Sequence, residues 1–160
     1  MGFLAESRRQ TVSRTLLVVL RLYVGFAFLR VGISKVQAGE QWVANMAGFL
    51  ECWLPNSPGF YQAFLKSTVL PHKELFAALV AWGELLVGAA LLLGLTTRLA
   101  ALAALAMNAN YLLAQGAQWL GPNVNAAFLF AALVILLGAA GRAFGVDYFL
   151  ARKWPRSPLW

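Results

Sequence analysis

Apolar residues fill four long stretches of this chain, and the polar or turn-forming residues that separate them are few. Thr15 to Val36 is the first stretch and Leu75 to Leu95 the second. From Leu99 to Gly141 there is no Asp, Glu, Lys or Arg, and Gly121-Pro122-Asn123 divides that run into two. A helix of about 20 apolar residues spans a bilayer's hydrocarbon. The pattern therefore predicts an all-α membrane protein, a four-transmembrane-helix bundle with spans at about 15–36, 75–95, 99–120 and 124–140. Thr96-Thr97-Arg98 is short enough to force the second and third spans into an antiparallel hairpin. The connection 37–73 is too apolar for a free loop. Trp42, Met46 and Phe49 recur at helical spacing, as do Phe60 with Phe64 and Tyr61 with Leu65, on either side of Leu54-Pro55-Asn56-Ser57-Pro58. Two short amphipathic helices on the outer surface are expected there, capping the bundle of one domain that covers 1–160.

Composition supports the membrane class. Of 160 residues, 61% are hydrophobic and 12% charged, where a soluble domain carries roughly a quarter charged. The length leaves no room for a separate soluble catalytic domain beside four spans. The formal net charge of +7 fits anionic lipid headgroups rather than nucleic acid in a chain this apolar. Arg8, Arg9, Arg14, Arg98, Arg142, Arg152, Lys153 and Arg156 fall on one side of the expected spans, which puts both termini in the cytoplasm; Lys66 and Lys73 fall on the other, with Lys35 at the rim of the first helix. The first span is compromised. Its 13 Leu, Ile, Val and Phe residues, at about −0.3 to −0.6 kcal/mol each, roughly cancel Arg21 and Arg30 at up to about +3 each, so it needs protein neighbours. The basic segment before it resembles a signal peptide's, but no small-residue cleavage site follows, and the helix is expected to be retained. The interface anchors are Trp119, Trp154 and Trp160.

Cys52 is the one cysteine and His72 the one histidine. A disulfide relay, a thiolate zinc site, a bis-histidine haem and a histidine-rich metal site are all excluded within one chain. Cys52 reads as a small buried apolar group and His72, between Pro71 and Lys73, as a solvated rim residue. Glu84 is different, because it stands at the middle of the second span, where a carboxylate must be protonated, paired or facing a polar cavity. It is either a proton carrier for a lipid-soluble redox substrate or the partner of an arginine fastening two helices. Arg21, Gly25, Phe28, Gly32 and Lys35 share one stripe of the first helix, and the glycines turn that stripe to the bundle. Arg21 is thus the expected partner of Glu84, while Arg30 projects to the other side, toward lipid or another subunit. On the third helix Asn108, Tyr111, Gln115 and Gln118 recur at helical spacing, with Asn110 on another face. A quinone needs donors to two carbonyl oxygens and a nearby proton relay, which Asn108 and Tyr111 could supply beside Glu84 and Arg21; interhelical hydrogen bonding is the alternative use of the same groups.

Three blocks of residues resemble the DoxX/DoxD family of small four-helix membrane proteins. The first is Arg21-Leu22 with Gly25 and Gly32-x-x-Lys35. The second runs from Glu84-Leu85-Leu86-Val87-Gly88 to Leu93-Gly94-Leu95-Thr96-Thr97-Arg98. The third is Gly138 to Arg142 with Asp147. Val31 and the pair Asn123 and Asn125 stand where relatives often carry a polar or histidine side chain and an acid. The resemblance implies a multi-pass subunit of a bacterial inner membrane linked to quinone chemistry, thiosulfate oxidation coupled to quinone reduction being the best-known activity. It also implies partners among other membrane or peripheral subunits, and relatives include accessory and assembly proteins of larger respiratory or photosynthetic complexes. No segment resembles a flavin or nucleotide motif, so the electron carrier would be a partner or the substrate. The expectations are then a quinone-linked oxidoreductase subunit with Glu84 and Arg21 handling protons, Asn108 and Tyr111 holding a non-covalent quinone, and no covalent cofactor or metal, against a non-catalytic scaffold in a larger assembly.

Overall fold

The computed structural model describes residues 2–116, 123–138, 140–142 and 144–154, with side chains from residue 14 onward except that of 142. Gln118, Trp119, Gly121, Pro122, Arg156 and Trp160 lie outside the described residues. Helices occupy nearly all of the described chain: α1 (Gly2–Ala38), α2 (Glu40–Trp53), α3 (Gly59–Phe64), α4 (Lys73–Leu93), α5 (Thr97–Gln115), α6 (Val124–Leu137) and α7 (Val146–Lys153). No strand occurs among them.

Two segments are long and apolar enough to cross a membrane. They are Arg14–Ala38 of α1, with 25 residues, and α4, with 21. The other two expected spans are less clear. Helix α5 has 19 residues but dilutes its apolar face with alanines, Asn108, Asn110 and Gln115. Helix α6 is wholly apolar after Asn125 but has 14 residues, about 21 Å of helix against a hydrocarbon layer of about 30 Å. It stops at Gly138, short of the expected 140, and a single turn of 3₁₀ helix follows at Ala140–Arg142.

Helices α1 and α4 form the most extensive pair. A methyl group on Gly32 would lie 2.5 Å from the Leu85 backbone nitrogen, and one on Gly88 would run into the Leu29 backbone. These two glycines let the helix backbones touch and thereby set the axial offset between them. Val24, Phe28, Val87, Leu91, Ala101, Ala104, Ala132 and Ile135 fill the centre of the four long helices. The outer surface is apolar as well: Leu16, Phe26, Trp82, Leu86, Leu102, Phe130 and Leu137 are all exposed, an arrangement that water penalises and lipid does not.

The outer connection is more helical than its sequence suggests. Helix α2 follows α1 after a single residue, Gly39, whose φ of 52° makes the sharp corner. It packs on α4 through Trp42, whose indole Nε1 donates to the Ala77 carbonyl at 3.0 Å. Helix α3 runs on into a π turn at Leu65–Val69, and Tyr61, Leu65 and Val69 pack against Leu50, Leu54, Phe76 and Leu113 in a second small core. Ser57 donates to the Ala114 carbonyl at 2.6 Å and ties this cap to α5. Cys52 is exposed rather than buried, because it falls on the face of α2 turned away from the bundle. His72 is exposed, as its sequence context suggests.

Candidate functional site

Antiparallel packing of α1 on α4 decides which charges meet. Gly32 abuts Glu84 and Leu85, Gly25 abuts Leu91 and Leu92, and Arg21 lies against Gly94. The level of Glu84 on α4 is therefore reached on α1 near its C-terminal end. Lys35 donates to Glu84 Oε1 at 2.7 Å, and the pair is a salt bridge with side chains 14% and 6% exposed. The expected Arg21–Glu84 pair is not formed: the glycine contacts place Arg21 about 21 Å from Lys35 along α1. Lys35 shares the glycine stripe, but its place at the end of the helix read as a rim position. Matching the glycines of α1 to Gly88 of α4 was the signal that could have found it.

Tyr111 completes the cluster. Its hydroxyl donates to the same Glu84 Oε1 at 2.8 Å. The Lys35 ammonium also sits 4.3 Å from the centre of the Trp42 ring and 5.6 Å from that of Tyr111, so it is surrounded by one carboxylate and two aromatic faces. Glu84 Oε2 is buried without a protein partner. One oxygen thus carries two charge-assisted bonds and the other is free to accept a third.

This cluster forms the deep end of a cavity of about 470 Å³, within the usual range for small-molecule sites. Glu84, Lys35, Asn108 and Tyr111 line it, with Gln115 and Asn125 as further amides. Three of the four sequence-predicted site residues, Glu84, Asn108 and Tyr111, therefore face one space, and Arg21 does not. Asn108 is 2% exposed and spends one N–H on the Ala104 carbonyl of its own helix, at 2.8 Å, which leaves its second N–H. Asn110 turns away, and its amide oxygen accepts from the Tyr61 hydroxyl at 3.0 Å. Arg30 is exposed on the opposite face of α1.

Arg21 belongs to a second buried cluster. Its Nη1 donates to the Ala140 carbonyl at 3.2 Å, and the Asp147 carboxylate supports its charge through space. Asp147 is fully buried. Its two oxygens accept the backbone N–H groups of Thr96 and Thr97, both at 2.7 Å, while its own N–H donates to the Gly94 carbonyl at 2.8 Å. The α4–α5 turn needs this support. Gly94 ends α4 in the left-handed region, with Leu95 N–H donating to the Ala90 carbonyl and Gly94 N–H to that of Leu91, a Schellman ending. Thr96 is also left-handed, at φ 46°, a conformation that costs a non-glycine residue on the order of 1 kcal/mol and needs an external hold. Asp147 supplies, from α7, the cap that no side chain of the turn provides to α5.

All three sequence blocks are now accounted for by position. Gly32-x-x-Lys35 and Glu84 make the deep end of the cavity; Arg21, Gly94 to Thr97, Gly141 and Asp147 make the clasp. An all-helical chain with two membrane-length apolar helices and a polar-ended cavity among them is the class of protein these observations define. Over residues 16–158 the chain matches the family described as TQO small subunit DoxD, TQO being thiosulfate:quinone oxidoreductase. It belongs to that family, and with its two apolar helices it is a membrane protein. No solved structure matches the chain.

Proposed function

We propose that this protein is the quinone-binding membrane subunit of a thiosulfate:quinone oxidoreductase-like complex in a bacterial inner membrane. The reading takes α1, α4, α5 and α6 as four spans, with both termini cytoplasmic and α2 and α3 on the outer surface. The observation that carries it is the Lys35–Glu84–Tyr111 cluster in a cavity otherwise walled by aromatic and aliphatic side chains and the three amides Asn108, Gln115 and Asn125. A quinone offers two carbonyl oxygens on a flat apolar ring, which suits a few donors inside an aromatic pocket.

Reduction to the quinol takes two electrons and two protons. The electrons come from thiosulfate oxidised on a partner subunit, since this chain has no redox centre of its own by sequence. The Lys35 ammonium is a donor for one substrate oxygen, and Asn108, with its unspent N–H, is a candidate for holding the other. Glu84 Oε1 already touches Nζ of Lys35 and the hydroxyl of Tyr111, so each of the two protons that Lys35 passes to the substrate is made good by one taken up from water through the Glu84 carboxylate. Arg21, which the sequence favoured for this role, is replaced in it by Lys35.

The test is thiosulfate-dependent reduction of a soluble quinone analogue by the complex purified in mild detergent. Glu84→Gln is expected to lower turnover by about 100-fold or more, the usual scale for a general acid–base group, with folded protein still recovered. Turnover intact beside a reduced folded yield would make Glu84 a helix fastener instead. A second reading, a non-catalytic scaffold subunit, draws on Arg30, an exposed cation amid the apolar surface of α1. A complex that keeps its activity after this chain is removed would favour it.

A further inference from the structure

The cavity holds its charges where it is closed and exposes large apolar side chains where it opens. Its rim is formed by Val31 of α1, Phe49 of α2 and Val124 of α6, which line the cavity and are also 42%, 61% and 65% exposed. Ala27 and Val31 lie one turn apart on α1, as do Val124 and Phe128 on α6, so two apolar strips lead outward from the deep end between these helices. Phe28 meets Phe128 edge to face with centroids 6.0 Å apart, and Tyr23 stacks on Phe128 at 6.2 Å. These rings close the seam below the opening. Among the described residues the only charged ones lining the space are Lys35 and Glu84, and they neutralise one another at 2.7 Å.

A pocket for a small dianion needs cationic charge in excess. This one has none, because Lys35 is paired with Glu84. We propose that the cavity is filled sideways from the bilayer through the seam between the outer halves of α1 and α6. Its occupant is a quinone with an isoprenoid chain, whose ring lies at Lys35, Glu84 and Tyr111 while the chain lies in the seam across Val31 and Val124. This rests on the quinone reading above and adds to it a tail subsite, two residues that set tail specificity, and the exclusion of thiosulfate from this cavity. Asn125 and Gln115 also line the space and add no charge to it.

The experiment uses the full chain in lipid nanodiscs. Binding is followed by quenching of the fluorescence of Trp42 and Trp53, which line the cavity. The probes are a prenylated benzoquinone, a prenylated naphthoquinone and the matching rings without tails. Val31→Phe and Val124→Phe narrow the seam from opposite sides at exposed positions, and unchanged thermal melting confirms that they fold. Each variant is expected to weaken the prenylated probes by about tenfold or more, the scale at which a pocket rejects misfitted apolar bulk, and to leave the tail-less rings within about twofold. Equal effects on tailed and tail-less rings, or no effect on either, would overturn the tail subsite. The quinone reading survives that result if the rings still bind and Glu84→Gln weakens them. Failure of every quinone to bind the unaltered protein would overturn both. Quenching relieved by thiosulfate in competition with a tail-less ring would show an aqueous anion site and overturn the lipid-side entry.

Discussion

Arg21, buried, and Lys35, partly buried, are cations on the same helix, about 21 Å apart, and their surroundings differ in one respect. Around Arg21 the space is full. Asp147 uses both oxygens on backbone N–H groups, and methyl groups added to Gly94, Gly141 or Gly145 would collide with Arg21, Asp147, Thr97 or the facing backbone. Around Lys35 the space is open: Lys35 and Glu84 both line the cavity of about 470 Å³. A buried charge packed on every side by the fold holds the fold, even though Arg21 Nε has no hydrogen-bond partner. One that lines a space large enough for a ligand is placed for chemistry. In hydrocarbon both are conspicuous in a sequence, and only the space beside them tells them apart.

The comparison breaks first at the clasp. Asp147→Ala orphans two buried N–H groups, releases the strained Thr96 and leaves Arg21 without its counter-charge. A loss of about 3–5 kcal/mol is expected, the cost of breaking a buried ionic arrangement by removing one partner. Thermal melting in detergent measures it, with turnover per folded molecule unchanged. Melting within about 1 kcal/mol of the parent would mean that the α7 docking does not support the fold.

The next effect is smaller and sharpens the other side. Lys35→Met strands the Glu84 carboxylate and is expected to cost about 2–3 kcal/mol. Adding Glu84→Gln removes the stranded charge, so the double variant should regain most of that stability while remaining inactive. Recovery of activity together with stability would place the chemistry elsewhere.

The smallest effect lies in the outer cap. Burial pushes the Tyr61 phenol up from its ordinary value, so the folded protein holds that proton more tightly than the unfolded chain does. The associated stability is complete below about pH 10, the unfolded value, and is lost as pH rises through the higher folded value. Tyr61→Phe should cost about 1 kcal/mol, the net worth of one hydrogen bond. It should also flatten that alkaline decline in melting temperature.

Much of this was legible residue by residue. The apolar stretches announced the helices of α1 and α4, the spacing of Trp42, Met46 and Phe49 announced α2, and a lone acid amid leucines announced Glu84. Each of these depends on one element's own preference for lipid, water or a neighbour. Asn108 and Tyr111 were legible in the same way, as hydrogen-bonding groups on one face of α5. The helical length of α6 was not, because Gly138 to Ala140 continues the apolar run in the sequence, whereas α6 ends at Leu137 and a 3₁₀ turn occupies Ala140–Arg142.

The partner of Glu84 was not legible either, and neither was the role of Arg21. Both cations share the inward stripe of α1, and composition weighs them alike. Choosing between them requires the axial offset of two helices to within one turn, about 5.4 Å. That offset comes from backbone meeting backbone at Gly32 and Gly88. Solvent preference is a property each residue carries alone, whereas register belongs to a pair of surfaces and exists only once they have packed.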